Sequence, residues 1–275
     1  MRVDELKELL KDVSKESAEY EARLLLSHFG GYSASDILLH NPDFSSEEFK
    51  EAVERRLNNE PLAYIFGETE FYGEKYFVSP HCLIPRADTE IIVEYAIKNL
   101  KKNAFFADLC TGSGCIAVSI LSHRPDCRAI ACDISSEALE IAQKNAVLNN
   151  VNERIIFTQC DILSDDALSY KFDAVISNPP YIRSDVISTL SEDVKKEPVI
   201  ALDGGNDGMI FYRRIISEYG AALDENGFFL FETGYDQKND ILKLAEGSSF
   251  SCECLTDYGK NHRGAVLRKR TYNNL

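Results

Sequence analysis

The chain has 275 residues, of which 44% are apolar and 27% are charged. This composition is typical of globular proteins and excludes collagen, coiled coils and long disordered tracts. Acidic residues outnumber basic ones by 45 to 30, for a formal net charge of −15 at pH 7. Because a non-specific grip on nucleic-acid phosphates requires Lys and Arg, this balance argues against direct DNA binding.

The first ten residues, MRVDELKELL, carry acids where a signal peptide needs a basic segment and then an apolar one. No later apolar run approaches the roughly 18 residues of a membrane span. We therefore expect a cytoplasmic protein with no membrane partner. The eight cysteines are spread through a chain too large to need disulfides, which favours buried free thiols. Cys252 and Cys254 lack further ligands at metal-binding spacing, so no metal is expected.

Residues 1–66 are predicted to form a small helical domain. Apolar residues recur at helical spacing over residues 3–13, and a second helix ends at a glycine pair. Ser33-x-x-Asp36 and Ser45-x-x-Glu48 are typical of capping boxes that begin two further helices. The aromatic and β-branched residues around Gly73 then predict a short β-hairpin, so we expect residues 67–84 to link two domains.

Residues 85–275 alternate between apolar runs and amphipathic helices, which is typical of a parallel sheet covered on both faces. The last two strands are joined so tightly that they must be antiparallel. We therefore predict an α/β fold with a Rossmann-like seven-stranded sheet and an antiparallel C-terminal hairpin. The expected strands are residues 104–109, 128–133, 154–159, 172–177, 227–233, 250–257 and 265–270.

A glycine-rich turn, Asp108-Leu-Cys-Thr-Gly-Ser-Gly114, stands where a predicted strand becomes a helix. Its glycines allow a ligand to approach the backbone and the amides of the helix N-terminus. Asp133 ends the next strand, where a carboxylate can accept both hydroxyls of a ribose. The same spacing satisfies the dinucleotide fingerprint, so the turn alone does not separate NAD from other nucleoside cofactors. Asp108 favours a cationic ligand such as S-adenosylmethionine, although it could instead cap the turn's own amides.

The second motif, Asn178-Pro-Pro-Tyr181, follows the fourth predicted strand of the sheet. Ligands of open α/β sheets bind at the carboxyl ends of strands, so this loop and the glycine turn should face one crevice. The Asn178 side chain and the Pro179 carbonyl can together accept both hydrogens of a planar –NH2 group. Tyr181 can contact the flat group that carries this nitrogen.

Together these motifs resemble the class I S-adenosylmethionine methyltransferases that modify planar nitrogens of adenine or glutamine. Three further segments, Arg55–Gly67, Pro85–Glu90 and Glu197–Gly208, resemble the peptide chain release factor glutamine methyltransferase family, also called HemK or PrmC. The similarity runs nearly end to end. It implies a helical substrate-recognition domain, a hairpin and a catalytic methyltransferase domain.

The resemblance also implies roles for individual residues. The cofactor would contact the turn after Asp108. Its ribose would contact Asp133, and its adenine would contact Asp161 and Ile162. Asn178 would face both cofactor and substrate, and the substrate glutamine would be held by Asn178, Pro179, Pro180 and Tyr181. The residues of the turn are Cys110, Thr111, Gly112, Ser113 and Gly114. Two departures stand out, since the family commonly has Gly at Cys110 and an aromatic residue at Ile162.

The implied reaction moves a methyl group from S-adenosylmethionine to N5 of the Gln in the Gly-Gly-Gln motif of a release factor. S-adenosylhomocysteine is the other product, and Asn178 and Pro179 would act directly on the substrate nitrogen. One alternative is an adenine-N6 nucleic-acid methyltransferase, which needs the same acceptors. Residues 1–75 disfavour it, because their 9 basic and 17 acidic residues give a balance of −8. An NAD-dependent oxidoreductase and a non-catalytic binding module leave Asn178-Pro-Pro-Tyr181 without a use.

Two further features have open interpretations. Asp203-Gly-Gly-Asn-Asp207 superficially resembles a calcium loop, but it lacks the alternating ligands, so we favour a turn that caps the next helix. Arg86 lines the substrate crevice by resemblance, and an ion pair with Asp88 or Glu90 is an equally good explanation.

Overall fold

The structure is a computed structural model that describes residues 1–257 and 259–270. These residues form two compact units. One contains Met1–Glu68 with Ser191–Lys196, and the other contains Thr69–Leu190 and the chain from Glu197 onward. The hairpin that we expected to be a linker therefore groups mainly with the second unit. The sequence did not predict that Ser191–Lys196 would group with the first unit.

The first unit is helical, as expected for this part of the chain. Its buried side chains include Leu6, Leu10, Leu25, Leu26 and Phe49, which pack in one cluster. The helices are α1 (Val3–Ser14), α2 (Ala18–Gly30), α3 (Ala34–His40), α4 (Glu47–Leu57) and α5 (Leu62–Phe66).

The two predicted capping boxes of this unit have different outcomes. Ser33 and Asp36 form the predicted box at the start of α3. The prediction for Ser45 was wrong, because the Ser46 hydroxyl accepts the hydrogen bond from the Phe49 amide, at 3.1 Å. Ser46 has the extended backbone that an N-cap requires, and α4 begins at the next residue.

The predicted hairpin of β1 (Glu68–Phe71) and β2 (Glu74–Phe77) stands where the second unit begins. Helices and strands follow to the end of the described chain, and two pairs of consecutive strands have no α-helix between them. The helices are α6 (Glu90–Asn99), α7 (Cys115–His123), α8 (Ser136–Leu148), α9 (Ile210–Tyr219) and α10 (Lys238–Glu246). The strands are β3 (Phe105–Leu109), β4 (Arg128–Asp133), β5 (Ile155–Gln159), β6 (Phe172–Ser177), β7 (Leu223–Glu232), β8 (Phe250–Thr256) and β9 (His262–Lys269).

Strands β3 to β9 form a seven-stranded sheet in the order β5-β4-β3-β6-β7-β9-β8. The first five are parallel, and β9 runs antiparallel to β7 and β8. This confirms the predicted fold class. Alternate strand residues face opposite layers: Phe106 packs in a cluster with α6, α7 and α8, whereas Ala107 packs in a cluster with α9 and α10.

The register brings the carboxyl ends of the parallel strands to one edge of the sheet. Leu109 is opposite both Cys132 and Ser177, and Ser177 is opposite Phe231. The residues that follow these positions, among them Cys110, Asp133 and Asn178, therefore leave the sheet side by side.

The described residues include no helix that is long and apolar enough to cross a membrane. None of the eight cysteines, all of which lie within the described residues, forms a disulfide, and five of them are buried.

Candidate active site

A cavity of about 210 Å³ lies at this edge of the sheet and collects most of the predicted site residues. It is lined by Cys110–Ser113 after β3, Asp133 at the end of β4, Asp161 and Ile162 after β5, and Asn178 with Pro180 after β6. Of the predicted residues, all of which the structure describes, Asp108, Gly114, Pro179 and Tyr181 do not line it. The cavity is also lined by residues that the sequence does not single out, among them His81, Cys82, Leu83, Pro85, Thr89, Ile134 and Phe211.

The glycine turn needs left-handed backbone at three positions. Cys110, Gly112 and Gly114 have φ of 58°, 54° and 80°. A Cβ atom on Gly114 would lie 3.0 Å from Cβ of Ala142 on α8, so glycine also permits the close packing of two helices here. At Cys110 the left-handed backbone costs a residue with a Cβ about 1–2 kcal/mol, which gives a physical reason for the family's preference for Gly.

The Asp133 carboxylate connects two turns at the cavity. Its Oδ2 accepts a hydrogen bond from the Gly112 amide at 2.8 Å, and its Oδ1 accepts one from the Ser135 amide at 3.0 Å. Burial raises the pKa of this carboxyl, and the amides of Ser135 and Gly112 lower it. Each carboxylate oxygen can accept a second hydrogen bond, as binding to the two hydroxyls of a ribose requires.

Asp108 is fully buried behind the turn. Its Oδ2 accepts hydrogen bonds from the Thr111 hydroxyl at 2.6 Å and the Ala117 amide at 3.2 Å. Its Oδ1 has no hydrogen-bond partner among the described residues. Burial raises the pKa of Asp108 to about 7, although both hydrogen bonds act in the opposite direction. Asp108 therefore caps the turn, and one acceptor oxygen remains available.

Asp161 and Ile162 follow β5 and line the same cavity. The Asp161 carboxylate accepts hydrogen bonds from the Leu163 amide at 2.9 Å and the Ser164 hydroxyl at 2.8 Å, and so stabilises its own turn. The buried Ile162 and the nearby Ile134 and Leu163 give the cavity an aliphatic lining. Such a lining can pack against a flat base where the family commonly places an aromatic ring.

The Asn178-Pro-Pro-Tyr181 loop is fixed at both ends. Nδ2 of Asn178 donates to the Thr89 hydroxyl at 3.4 Å, and the Tyr181 hydroxyl donates to Oε1 of Glu232 at 3.2 Å. Pro179 and Pro180 are buried. Behind the loop, a Cβ atom on Gly204 would lie 2.7 Å from Cα of Tyr181, so the backbone there approaches more closely than any side chain would allow.

Arg86 lines the cavity, as the resemblance implies. It forms an ion pair with Glu197 and not with Asp88 or Glu90, the partners offered as the alternative explanation. Glu197 also accepts a hydrogen bond from the Ile84 amide at 3.0 Å and is buried. The buried Glu197 carboxylate thus binds both the Ile84 amide and the Arg86 guanidinium, which lie more than 100 positions earlier in the chain. No local pattern in the sequence reveals this contact.

The segment from Asp203 to Asp207 behaves as a turn. Asp207 accepts a hydrogen bond from the Met209 amide at 3.1 Å, immediately before α9. Among the described residues, no group of three or more His, Cys, Asp or Glu side chains is arranged to hold a metal ion.

Glu232 is a buried residue that the sequence analysis missed. It ends β7, is 2% exposed, and has no hydrogen-bond partner for Oε2 among the described residues. Burial raises its pKa to about 7. The only signal in the sequence is an acidic residue at the end of the apolar run Phe228–Phe231.

The chain is also similar in sequence and fold to known methyltransferases. Residues 3–67 match the PrmC N-terminal domain family, and residues 88–199 match the methyltransferase small domain family. The chain is 36% identical to release factor glutamine methyltransferases of Agrobacterium fabrum, over 90% of each chain, and of Clostridium botulinum, over 96% of each. The ribosomal protein L11 methylase of Lactobacillus delbrueckii subsp. bulgaricus has a similar fold, with a TM-score of 0.51 and 21% identity over 70% of this chain and 84% of that one.

Proposed function

Because the chain belongs to the release factor glutamine methyltransferase family, we propose that it methylates N5 of the Gln in the Gly-Gly-Gln motif of peptide chain release factors. As a family member it is an S-adenosylmethionine-dependent protein-glutamine methyltransferase. The cavity lined by both Asn178 and the glycine turn supports methyl transfer to an –NH2 group, and the relatives named as release factor enzymes carry the choice of a glutamine.

The residues in and directly behind the cavity fit S-adenosylmethionine. The hydroxyl of Ser113, which lines the cavity, and Oδ1 of Asp108, which lies behind the turn, are buried polar atoms that lack partners among the described residues, so they suit a ligand rich in donors and positive charge. Asp133 would bind the ribose, and Ile162 would pack against the adenine. When bound, this cofactor supplies a methyl group activated by a sulfonium centre. The chain's own residues then hold and orient the acceptor.

Asn178 offers the substrate an acceptor atom. Its Nδ2 is used by Thr89, so Oδ1 is left to accept one hydrogen of a primary amide. The carbonyl of Pro179 can accept the other hydrogen, although Pro179 does not line the cavity. The two acceptors would hold the substrate nitrogen in a near-attack position and stabilise the positive charge that develops on it.

The amide nitrogen is a poor nucleophile, because its lone pair is delocalised into the carbonyl. Positioning and electrostatics must therefore account for most of the rate. The methylated nitrogen is strongly acidic and can lose its proton after transfer, so the proposal requires no dedicated general base.

An adenine-N6 methyltransferase would need the same two acceptors, so the site geometry does not separate the two reactions. The acidic first 75 residues and the relatives named as release factor enzymes support the protein substrate. An NAD-dependent oxidoreductase has no support from these relatives.

The proposal is tested by incubating the purified chain with methyl-labelled S-adenosylmethionine and either a release factor or duplex DNA. We expect label on the release factor alone. Label on DNA with an unlabelled release factor would overturn the assignment.

A further inference from the structure

The substrate loop, Asn178 to Tyr181, has little means of anchoring its own backbone. Pro179 and Pro180 have no N–H group, so neither can donate a hydrogen bond that would hold the loop in place. Because the φ of Pro180 is fixed by its ring, few free torsions separate the Pro179 carbonyl from the Tyr181 backbone. The groups that hold Tyr181 therefore also set the direction of the Pro179 carbonyl.

The carbonyl of Tyr181 is held by the side chain of Gln237, which is buried and lies immediately before α10. Nε2 of Gln237 donates to the Tyr181 carbonyl at 3.0 Å and to the Gly208 carbonyl at 3.1 Å. Its Oε1 accepts a hydrogen bond from the Gly234 amide at 2.9 Å. Both hydrogens of the –NH2 group are thus used, one for each carbonyl. One side chain connects the loop after β6, the segment before α9 and the turn after β7.

The residue after the loop, Ile182, is bound to the glycine-rich segment before α9. Its amide donates to the Leu202 carbonyl at 3.0 Å, and its carbonyl accepts from the Gly204 amide at 2.8 Å. A Cβ atom on Gly204 would lie 2.8 Å from the Pro180 carbonyl oxygen, so this segment packs directly against the backbone of the loop.

Gly208 stands where the same segment meets the Tyr181 carbonyl. A Cβ atom on Gly208 would overlap the carbonyl oxygen of Tyr181 and lie 2.6 Å from Nε2 of Gln237. The φ of Gly208 is 70°, which glycine adopts without strain. Capping of α9 by Asp207 does not require this close approach, so the glycine-rich segment has a second role.

We propose that Leu202–Gly208 and Gln237 form a clamp that fixes the carboxyl end of the substrate loop, and that Gln237 is a positioning residue that orients the Pro179 carbonyl through Tyr181. This inference rests on the proposed function, because the direction of that carbonyl matters only if it accepts a hydrogen from the substrate –NH2 group. Gln237, which the structure describes, does not line the cavity and acts on the substrate only through the loop. An acceptor displaced by about 1 Å can lower a rate about a hundredfold, so a side chain outside the cavity can affect turnover.

The first test compares Gln237→Met with wild type on intact release factor at saturating S-adenosylmethionine. Methionine has a similar length and no hydrogen to donate, so both carbonyl contacts are lost. We expect kcat to fall about tenfold or more, while the Kd for the cofactor stays within about twofold because the glycine turn and Asp133 are unchanged. Gln143→Met makes the same change at an exposed position of α8 and should behave as wild type. A kcat within about twofold of wild type in Gln237→Met would overturn the proposal.

A second pair of variants separates positioning from backbone strain. Gly205 and Gly208 both have left-handed backbone, with φ of 85° and 70°, so alanine at either position should lower stability. At Gly205 a Cβ would make only ordinary contacts among the described residues, with the Ile210 side chain at 3.4 and 3.6 Å. Only Gly208→Ala would push the Tyr181 carbonyl away. We expect kcat to fall about tenfold or more in Gly208→Ala and to stay within about twofold in Gly205→Ala. Equal losses of kcat would contradict the clamp.

A measurement on the free chain separates this inference from the proposed function. Hydrogen exchange of the Ile182 amide, followed by NMR, reports how firmly the end of the loop is held. Its rate is divided by that of the buried Val175 amide on β6, which corrects for a change in global stability. The ratio should rise about tenfold or more in Gln237→Met and stay within about twofold in Gln143→Met.

An unchanged exchange ratio in Gln237→Met would overturn the clamp, whether or not the chain methylates a release factor. A wild-type chain that methylates no release factor would instead overturn the proposed function, and the exchange ratio would still decide whether Gln237 holds the loop.

Discussion

The Asp133 carboxylate accepts a hydrogen bond from the amide of Gly112, with 2.8 Å between Oδ2 and the nitrogen. This bond joins the end of β4 to the glycine turn that follows β3. One side chain therefore shapes the turn and also stands where the cofactor ribose is expected to bind.

Asp133→Ala should weaken S-adenosylmethionine binding by about 1.5–3 kcal/mol, the value of a charge-assisted contact with two hydroxyls. Asp133→Asn keeps an acceptor for Gly112 but loses the charge, so its affinity should fall between those of Asp133→Ala and wild type. Titration calorimetry on the folded variants measures both. Unchanged affinity in Asp133→Ala would place the ribose contact elsewhere.

Asn178→Ala should lower kcat about a hundredfold or more, because the variant lacks an acceptor that acts on the substrate nitrogen. The affinity for the cofactor should fall much less, since the glycine turn and Asp133 are unchanged. Steady-state kinetics and cofactor titration on the same preparation separate the two effects. Methyl transfer within a few-fold of wild type would rule out the two-acceptor mechanism.

Cys110 provides a test of backbone strain at the glycine turn. Its φ of 58° suits glycine, so Cys110→Gly should keep cofactor affinity and change the free energy of unfolding by less than about 1 kcal/mol. Cys110→Val should destabilise the chain more strongly, because a β-branched residue is poorly accommodated in the left-handed region. Thermal unfolding of the two variants gives the comparison, and equal stability would show that the backbone here is not constrained.

The sequence predicts the sheet well, and it predicts that the glycine turn, Asp133 and Asn178 meet at one edge of it. The glycine turn and Asn178 directly follow predicted strands and Asp133 ends one, and parallel strands bring their carboxyl ends together. Strand bounds such as Arg128–Asp133 and Phe172–Ser177 match the prediction.

The interactions that the sequence does not predict are between distant residues. Glu197 and Arg86 are 111 positions apart, and the sequence around each residue does not indicate which residue it will pair with. Glu232 resembles an ordinary strand end until its burial and its contact with Tyr181 are known. At Ser45 and Ser46 two adjacent serines both suit a cap, and only the backbone geometry selects between them.

The stability of the chain should depend on pH through Asp108. Burial raises the pKa of its carboxyl to about 7 in the folded chain, against about 3.9 when unfolded. The folded state therefore retains a proton that the unfolded state releases, so the free energy of unfolding falls as the pH rises through this window. The stabilisation is complete below about pH 4 and lost above about pH 7.

Asp108→Asn should remove this contribution and show a smaller loss of stability over the same range, measured by denaturant unfolding at several pH values. Its affinity for S-adenosylmethionine should also stop rising between about pH 6 and pH 8, because the ionised form that favours a cation is absent. A variant whose stability and affinity follow the wild-type pH dependence would exclude Asp108 as the titrating group.

Tandem mass spectrometry of an intact release factor after reaction identifies the atom that receives the methyl group. We expect one added methyl group on the Gln of the Gly-Gly-Gln motif, and none on the corresponding Gln→Ala variant of the release factor. Intact factor should react far better than a short peptide, because remote contacts help to position the amide. A methyl group that persists on the Gln→Ala factor would show that this Gln is not the acceptor.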